Sequence, residues 1–183
     1  MRITGGRLAG RIIHVPKGAL EIRPAMDRMR ESVFAVLGSL ENRSFLDLFS
    51  GSGIIGIEAS SRGADPVVCV ERDTAKMPIL LSNVAICDRR IECKAIPVER
   101  FLIRVKDRFD VIFADPPFPY AYRRELLESM AKVAAPKALV LMHFPREDAM
   151  PAAIGGLTLV DSRSYGRSIV NFYRNDEQLL TNP

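Results

Sequence analysis

The chain has 183 residues, 48% of them hydrophobic, with 26 Lys and Arg against 22 Asp and Glu and a formal net charge of +4. This apolar content excludes a disordered chain, and the length suits one domain that buries its core without disulfide or metal staples. The longest apolar run, Ala138–Met142, is far too short to span a membrane.

The opening residues, MRITGGRLAGR, lack the apolar stretch of a secretory signal. Cys69, Cys87 and Cys93 form no CxxC pair and read as reduced thiols, so a cytoplasmic location is expected. With His14 and His143 as the only histidines and no HExxH, no metal site is expected.

At the front, Met1–Thr4 and Arg7–Val15 flank Gly5-Gly6 and suggest a small β-ribbon. After Arg23-Pro24, the apolar positions Met26, Met29, Val33, Val36 and Leu37 recur at helical spacing and predict a helix from about Met26 to Leu37. Residues 1–30 carry seven basic and two acidic side chains, whereas the remaining 153 carry 19 basic and 20 acidic. The whole excess of positive charge is therefore at the N-terminus. It points to a polyanionic partner, with Arg7, Arg11, Lys17, Arg23, Arg28 and Arg30 as candidate phosphate contacts. A solvated arm that only keeps the protein soluble is the competing reading.

Beyond residue 40 short apolar runs alternate with helical patterns. Strands are predicted at Phe45–Phe49, Pro66–Glu71, Ile91–Ala95, Phe109–Ala114, Ala138–Phe144, Leu157–Asp161 and Ser168–Arg174. Helices fall near 53–62, 74–86, 97–104 and 121–135. The alternation argues for βαβ units and a doubly wound, mostly parallel α/β sheet, closed by a hairpin across Ser162–Arg167. The expected organisation is a single domain, with a basic extension over 1–40 and a catalytic core over 41–183.

Two segments carry the chemistry. Asp47-Leu48-Phe49-Ser50-Gly51-Ser52-Gly53-Ile54-Ile55-Gly56 follows an apolar strand and opens a helix, where glycines let the backbone approach a nucleotide cofactor. Asp47 would repel a pyrophosphate but attract ammonium and sulfonium groups, which favours S-adenosylmethionine over NAD. Glu71, 20 positions after Gly51, ends the next strand and can accept hydrogen bonds from ribose hydroxyls. Further on, Phe109–Ala114 delivers Asp115-Pro116-Pro117-Phe118 to the carboxyl edge of the sheet. The prolines stiffen the turn and remove backbone donors, leaving acceptors beside an aromatic surface, as a planar exocyclic amine requires.

Asp115-Pro116-Pro117-Phe118 together with Asp47-x-Phe49-x-Gly51-x-Gly53 resembles the class I amino-methyltransferases. Within them, the chain is similar to the bacterial 16S rRNA guanine-N2 methyltransferases. The resemblance includes Arg23-Pro24, Asp27-Arg28-Met29-Arg30-Glu31-Ser32, Tyr165-Gly166 and Phe172-Tyr173-Arg174. It implies a seven-strand sheet of order 3-2-1-4-5-7-6 with one antiparallel strand, Asp47 and Asp115 sharing a crevice, and S-adenosyl-L-methionine as cofactor. Asp47, Phe49, Gly51, Gly53 and Glu71 are then the cofactor residues. Asp115, Pro116 and Phe118 are the catalytic ones, and Tyr122 joins the basic residues at the substrate. Where the family often has an acid or amide near the adenine, this chain has Lys94-Ala95, so backbone groups or Glu99 would have to serve.

The expected partner is rRNA within the small ribosomal subunit or an assembly intermediate, with the protein acting as a monomer away from membranes. Three alternatives compete. A protein-glutamine methylase would more typically show Asn where Asp115 stands. A DNA adenine or cytosine amino-methylase usually carries a target-reading domain for which this chain has no room. A non-catalytic RNA-binding protein would keep the arm but lose the motifs.

Overall fold

The computed structural model describes residues 1–15 and 23–176. The chain falls into two compact units, Met1–Val98 and Glu99–Pro183.

In the first unit three parallel strands, β1 (Phe45–Leu48), β2 (Val67–Glu71) and β3 (Ile91–Ala95), lie in the order β3-β2-β1. Every residue of β1 and β2 is buried, which is why these strands read as continuous apolar runs rather than alternating ones. Three helices accompany them, α1 (Arg23–Leu37), α2 (Ile54–Ser61) and α3 (Met77–Val84). Helix α1 starts earlier than its apolar spacing predicts, because Pro24 is tolerated in a first turn whose N–H groups are unpaired anyway. Its buried stripe is Met29, Arg30, Val33 and Phe34, whereas Val36 faces outward at 37% exposure. Phe34 stacks on Phe45 with ring centroids 6.3 Å apart, and burying each ring contributes about 1.5–3 kcal/mol.

Helix α2 has no exposed face, since all eight residues are buried. The N-terminal segment covers its outer side. Ile3, Leu8 and Ile13 are buried, Leu8 N donates to Ser61 Oγ at 2.8 Å, and Thr4 N donates to the Glu58 carboxylate at 3.0 Å. The expected β-ribbon is reduced to one antiparallel bridge, Arg2 with Ile12, because the segment pairs with α2 as much as with itself.

The second unit contains β4 (Phe109–Ala114), β5 (Ala134–Pro145), β6 (Ala153–Ile154), β7 (Leu157–Tyr165) and β8 (Ser168–Asn175), in the order β4-β5-β8-β7-β6. Helix α4 (Val98–Arg104) precedes them, and α5 (Arg123–Lys132) lies between β4 and β5. Strands β4 and β5 are parallel, while β8 runs against both β5 and β7.

The expected helix over 121–135 is corrected to α5 followed at once by strand. Pro136 cannot continue a helix, and the β4–β5 register jumps from Phe109↔Ala134 to Val111↔Leu139 around it, with Lys137 at φ 65°. The expected order 3-2-1-4-5-7-6 reappears as β3-β2-β1 in one unit and β4-β5-β8-β7 in the other. The described residues thus hold eight strands, not seven, the addition being the two-residue edge strand β6 beyond β7.

Candidate active site

In the first unit, β1 ends where Phe49 adopts φ 62°, an unfavourable conformation for a bulky side chain that turns the backbone sharply into the glycine loop. Ser50 anchors that loop, its N–H donating to Val70 O at 3.0 Å and its hydroxyl to Asp47 O at 2.8 Å. Gly51 N donates to Glu71 Oε2 at 2.8 Å, and Asp73 N donates to Oε1 at 2.9 Å. The Glu71 carboxylate therefore bridges the loops leaving β1 and β2. A carboxylate has roughly four acceptor positions, so capacity for hydroxyl donors remains.

The glycines have different duties. At Gly53, φ +81°, an added Cβ would come within 2.5 Å of Leu80 Cδ1, so this glycine serves packing. At Gly51, φ +53°, an added Cβ would meet nothing nearer than Phe49 O at 4.0 Å, which leaves the backbone open to a ligand. An open backbone beside an acid with spare acceptor capacity fits an adenosine-bearing cofactor such as S-adenosylmethionine. Asp47 is 2% exposed, accepts from Gly56 N at 3.1 Å through Oδ2, and lies 3.8 Å from Cys69 Sγ. One of its oxygens thus supports the α2 N-terminus, where a carboxylate is favourable. Burial, reinforced by the Asp47 charge, pushes the Cys69 thiol well above its ordinary value.

In the second unit Asp115 leaves the end of β4 half-buried, and its Oδ1 meets His143 Nδ1 at 2.7 Å. His143 lies near the end of β5 and is 3% exposed. Pro116 is buried, whereas Phe118 is 51% exposed and meets the His143 ring edge-on at 6.0 Å. The turn is clamped by Arg123, the first residue of α5. Its guanidinium donates to the carbonyls of Pro117 (3.2 Å), Phe118 (2.6 Å) and Tyr120, and to Asp148 Oδ2 (2.6 Å). A cation at a helix N-terminus opposes the helix dipole; here four acceptors offset that cost. Tyr122 is 66% exposed, packs edge-on against Tyr120, and borders a cleft of about 360 Å³ with Glu99, Leu102 and Leu126. Glu99 accepts the Tyr120 hydroxyl at 2.6 Å, and Lys94 pairs with Glu92 on the same face of β3.

The basic residues divide. Arg7, Arg11 and Arg28 are exposed, as phosphate contact requires. Arg30 is corrected: at 2% exposure it donates to Asp27 Oδ1 at 2.9 Å and Arg2 O at 2.7 Å, and its Nε lies 3.5 Å from the buried Glu58. It braces the N-terminal segment and does not reach solvent. Lys17 and the Arg23 side chain lie outside the described residues. Among the described residues no group of three or more His, Cys, Asp or Glu could hold a metal ion.

The sequence reading missed Arg123, His143 and Asn83. Asn83 Oδ1 accepts from His14 N at 2.9 Å, while its Nδ2 donates to His14 O and Ser52 O, both at 2.8 Å. A lone polar residue within an apolar pattern, as at His143 after Leu141-Met142, was the available signal.

Comparison with known proteins establishes the family and the fold. The family model described as "Conserved hypothetical protein 95" matches residues 1–174. The ribosomal RNA small subunit methyltransferase D of Escherichia coli K12 is 30% identical over 189 residues, covering 97% of this chain and 91% of that protein. The solved structure of the Escherichia coli protein yhhF superposes with a TM-score of 0.83 at 29% identity, covering 97% of this chain and 99% of that one. A magnesium protoporphyrin IX methyltransferase from Synechocystis, solved with bound SAM, shares the fold at a TM-score of 0.68 and 16% identity, over 95% and 88% of the two chains. The chain belongs to the Conserved hypothetical protein 95 family, the family of ribosomal RNA small subunit methyltransferase D, with a class I methyltransferase fold.

Proposed function

We propose that this protein methylates the exocyclic N2 amine of a guanine in small-subunit rRNA, with S-adenosyl-L-methionine as methyl donor. The observation that carries the reading is the turn after β4. Asp115 is fixed through one carboxylate oxygen by a buried histidine, beside a half-exposed Phe118, and Arg123 clamps the backbone that presents them.

The bound cofactor would supply an electrophilic methyl group, held by the Gly51 backbone and Glu71. A guanine amine is a weak nucleophile because its lone pair is delocalised into the ring. Asp115 and the Pro116 carbonyl accept its two hydrogens and orient the nitrogen. The Asp115 charge also stabilises the positive charge that develops there, the kind of preorganised electrostatics that dominates many enzyme rates. Phe118 stacks on a base that has left its helix or loop stack. Arg7, Arg11 and Arg28 track phosphates. The small-subunit assignment is supported by the name of the Escherichia coli relative. The protein works as a monomer in the cytoplasm, on rRNA within the subunit or its assembly intermediate.

The test uses small subunits from a strain lacking this protein, incubated with the pure protein and labelled S-adenosylmethionine, with rRNA nucleosides then resolved by mass spectrometry. The expected product is N2-methylguanosine. Asp115→Ala should slow single-turnover transfer by roughly 100-fold or more. Asp115→Asn, which keeps an acceptor but not the charge, should be milder. Label in another nucleoside, or none in the rRNA, refutes the proposal, as does a wild-type rate for Asp115→Ala.

A further inference from the structure

His143 is difficult to explain by packing. It sits between Met142 and Phe144 in a strand segment buried from Val140 to Pro145, and its own exposure is 3%. Its Nδ1 meets Asp115 Oδ1 at 2.7 Å, but Nε2 is buried without any hydrogen-bond partner. A buried polar atom left unpaired costs stability, and an apolar ring of similar size would avoid that cost. Such an exception in a native core calls for a reason other than stability.

The reason lies on the other side of the ring. An ionised carboxylate only accepts hydrogen bonds, so Nδ1 is the donor in this pair. The bond fixes one Asp115 oxygen and leaves Oδ2 without a partner among the described residues, on a side chain 27% exposed. The same imidazole meets the Phe118 ring edge-on at 6.0 Å. One buried side chain thus touches both the acceptor and the aromatic surface of the turn.

We infer that His143 is a positioning residue for methyl transfer. It holds Asp115 in the rotamer that points Oδ2 at the target amine, at a cost to the stability of β5. This rests on the proposed role of Asp115. Without the histidine the carboxylate can rotate, and the productive orientation becomes one among several. The rate of transfer then falls while the affinities for RNA and cofactor stay, because those are made by other residues.

The experiment compares His143→Phe, His143→Asn, Asp115→Ala and the double variant Asp115→Ala with His143→Phe. Single-turnover rates, both dissociation constants and melting temperatures are measured. His143→Phe keeps the ring volume and removes the donor; transfer should slow roughly 10- to 30-fold, with both affinities within twofold and no loss of thermal stability. In His143→Asn the amide nitrogen occupies nearly the place of Nδ1, so the rate should recover to within about threefold of wild type.

In the Asp115→Ala background His143→Phe should change nothing further. A wild-type rate in His143→Phe, or an equal further loss in the double variant, overturns the inference. So does a failure of His143→Asn to recover the rate. If Asp115→Ala itself transfers methyl at the wild-type rate, the proposed role of Asp115 fails first. An inactive Asp115→Ala beside a fully active His143→Phe sinks the histidine inference alone.

Discussion

Replacing Arg123 with Met removes the clamp on the Asp115–Phe118 turn while keeping most of the side chain's apolar length. The loss can be worked from its four acceptors: three carbonyls, on Pro117, Phe118 and Tyr120, and the Asp148 carboxylate. Hydrogen bonds to charged groups contribute about 1.5–3 kcal/mol each. Here, however, Pro117 and Phe118 are exposed and Asp148 is 38% exposed, so water replaces much of what is lost. A figure of ~1 kcal/mol per contact is more apt, giving ~3–4 kcal/mol in all.

If that energy orders the turn, the rate of methyl transfer should fall roughly 100- to 1000-fold, since each 1.4 kcal/mol is about tenfold. Arg123→Lys, which keeps the charge but not the planar fork, should recover about half of the loss in free energy. Hydrogen exchange provides a direct readout, because Tyr120 N donates to Pro117 O at 2.8 Å within the turn. Its amide should exchange faster in Arg123→Met while those of Ile112 and Phe113 in β4 stay protected. A protected Tyr120 amide together with a wild-type rate would show that the prolines alone hold the turn.

Glu71→Ala should weaken S-adenosylmethionine binding about 10- to 100-fold by calorimetry, as it removes acceptors for the cofactor and releases Gly51 N. An unchanged affinity would leave Glu71 only a loop brace. Replacing Arg7, Arg11 and Arg28 with Ala should lower the salt slope of RNA binding by up to about 3. Arg30→Ala should leave that slope alone and instead cost about 1–3 kcal/mol of stability in denaturant melts, because the bonds to Asp27 and Arg2 O go and Glu58 loses one of its two arginine partners.

Burial raises the thiol pKa of Cys69, Cys87 and Cys93, so at high pH the native state binds more protons than the unfolded one. Their stabilisation is complete below the ordinary thiol pKa of about 8.5 and is lost as pH rises toward the raised native values. Melting temperature should fall over that window, and Cys69→Ala should flatten the fall.

Strands β1 and β2 were legible because they are buried on both faces, so that Phe45-Leu46-Asp47-Leu48 and Val67–Glu71 read as near-continuous apolar runs. The glycine loop and the Asp-Pro-Pro-Phe turn were legible because their backbone requirements are local. What failed depends on pairing at a distance. Strand β6 exists because β7 offers it an edge, and β5 begins early because β4 takes Ala134 as a partner. The bond from Gly56 N to Asp47, nine residues apart, likewise has no local signature.

Two pairs of arginines show the limit most clearly. Arg28 and Arg30 share a helix and a basic segment, yet one is exposed and the other 2% exposed. Arg123 and Arg124 are neighbours; the first is buried and the second has a side chain 72% exposed. In each pair the buried arginine falls on the apolar stripe of its helix, Arg30 beside Met29, Val33 and Phe34, and Arg123 in line with Leu126 and Leu127. Helical phase thus identifies which arginine must turn inward, but not whether it can. That depends on acceptors the sequence does not place nearby: Glu58 for Arg30, and the carbonyls of a proline turn for Arg123. An arginine in phase with a helix's apolar stripe is therefore better read as an internal brace than as a contact for phosphate, whatever the charge of the segment around it.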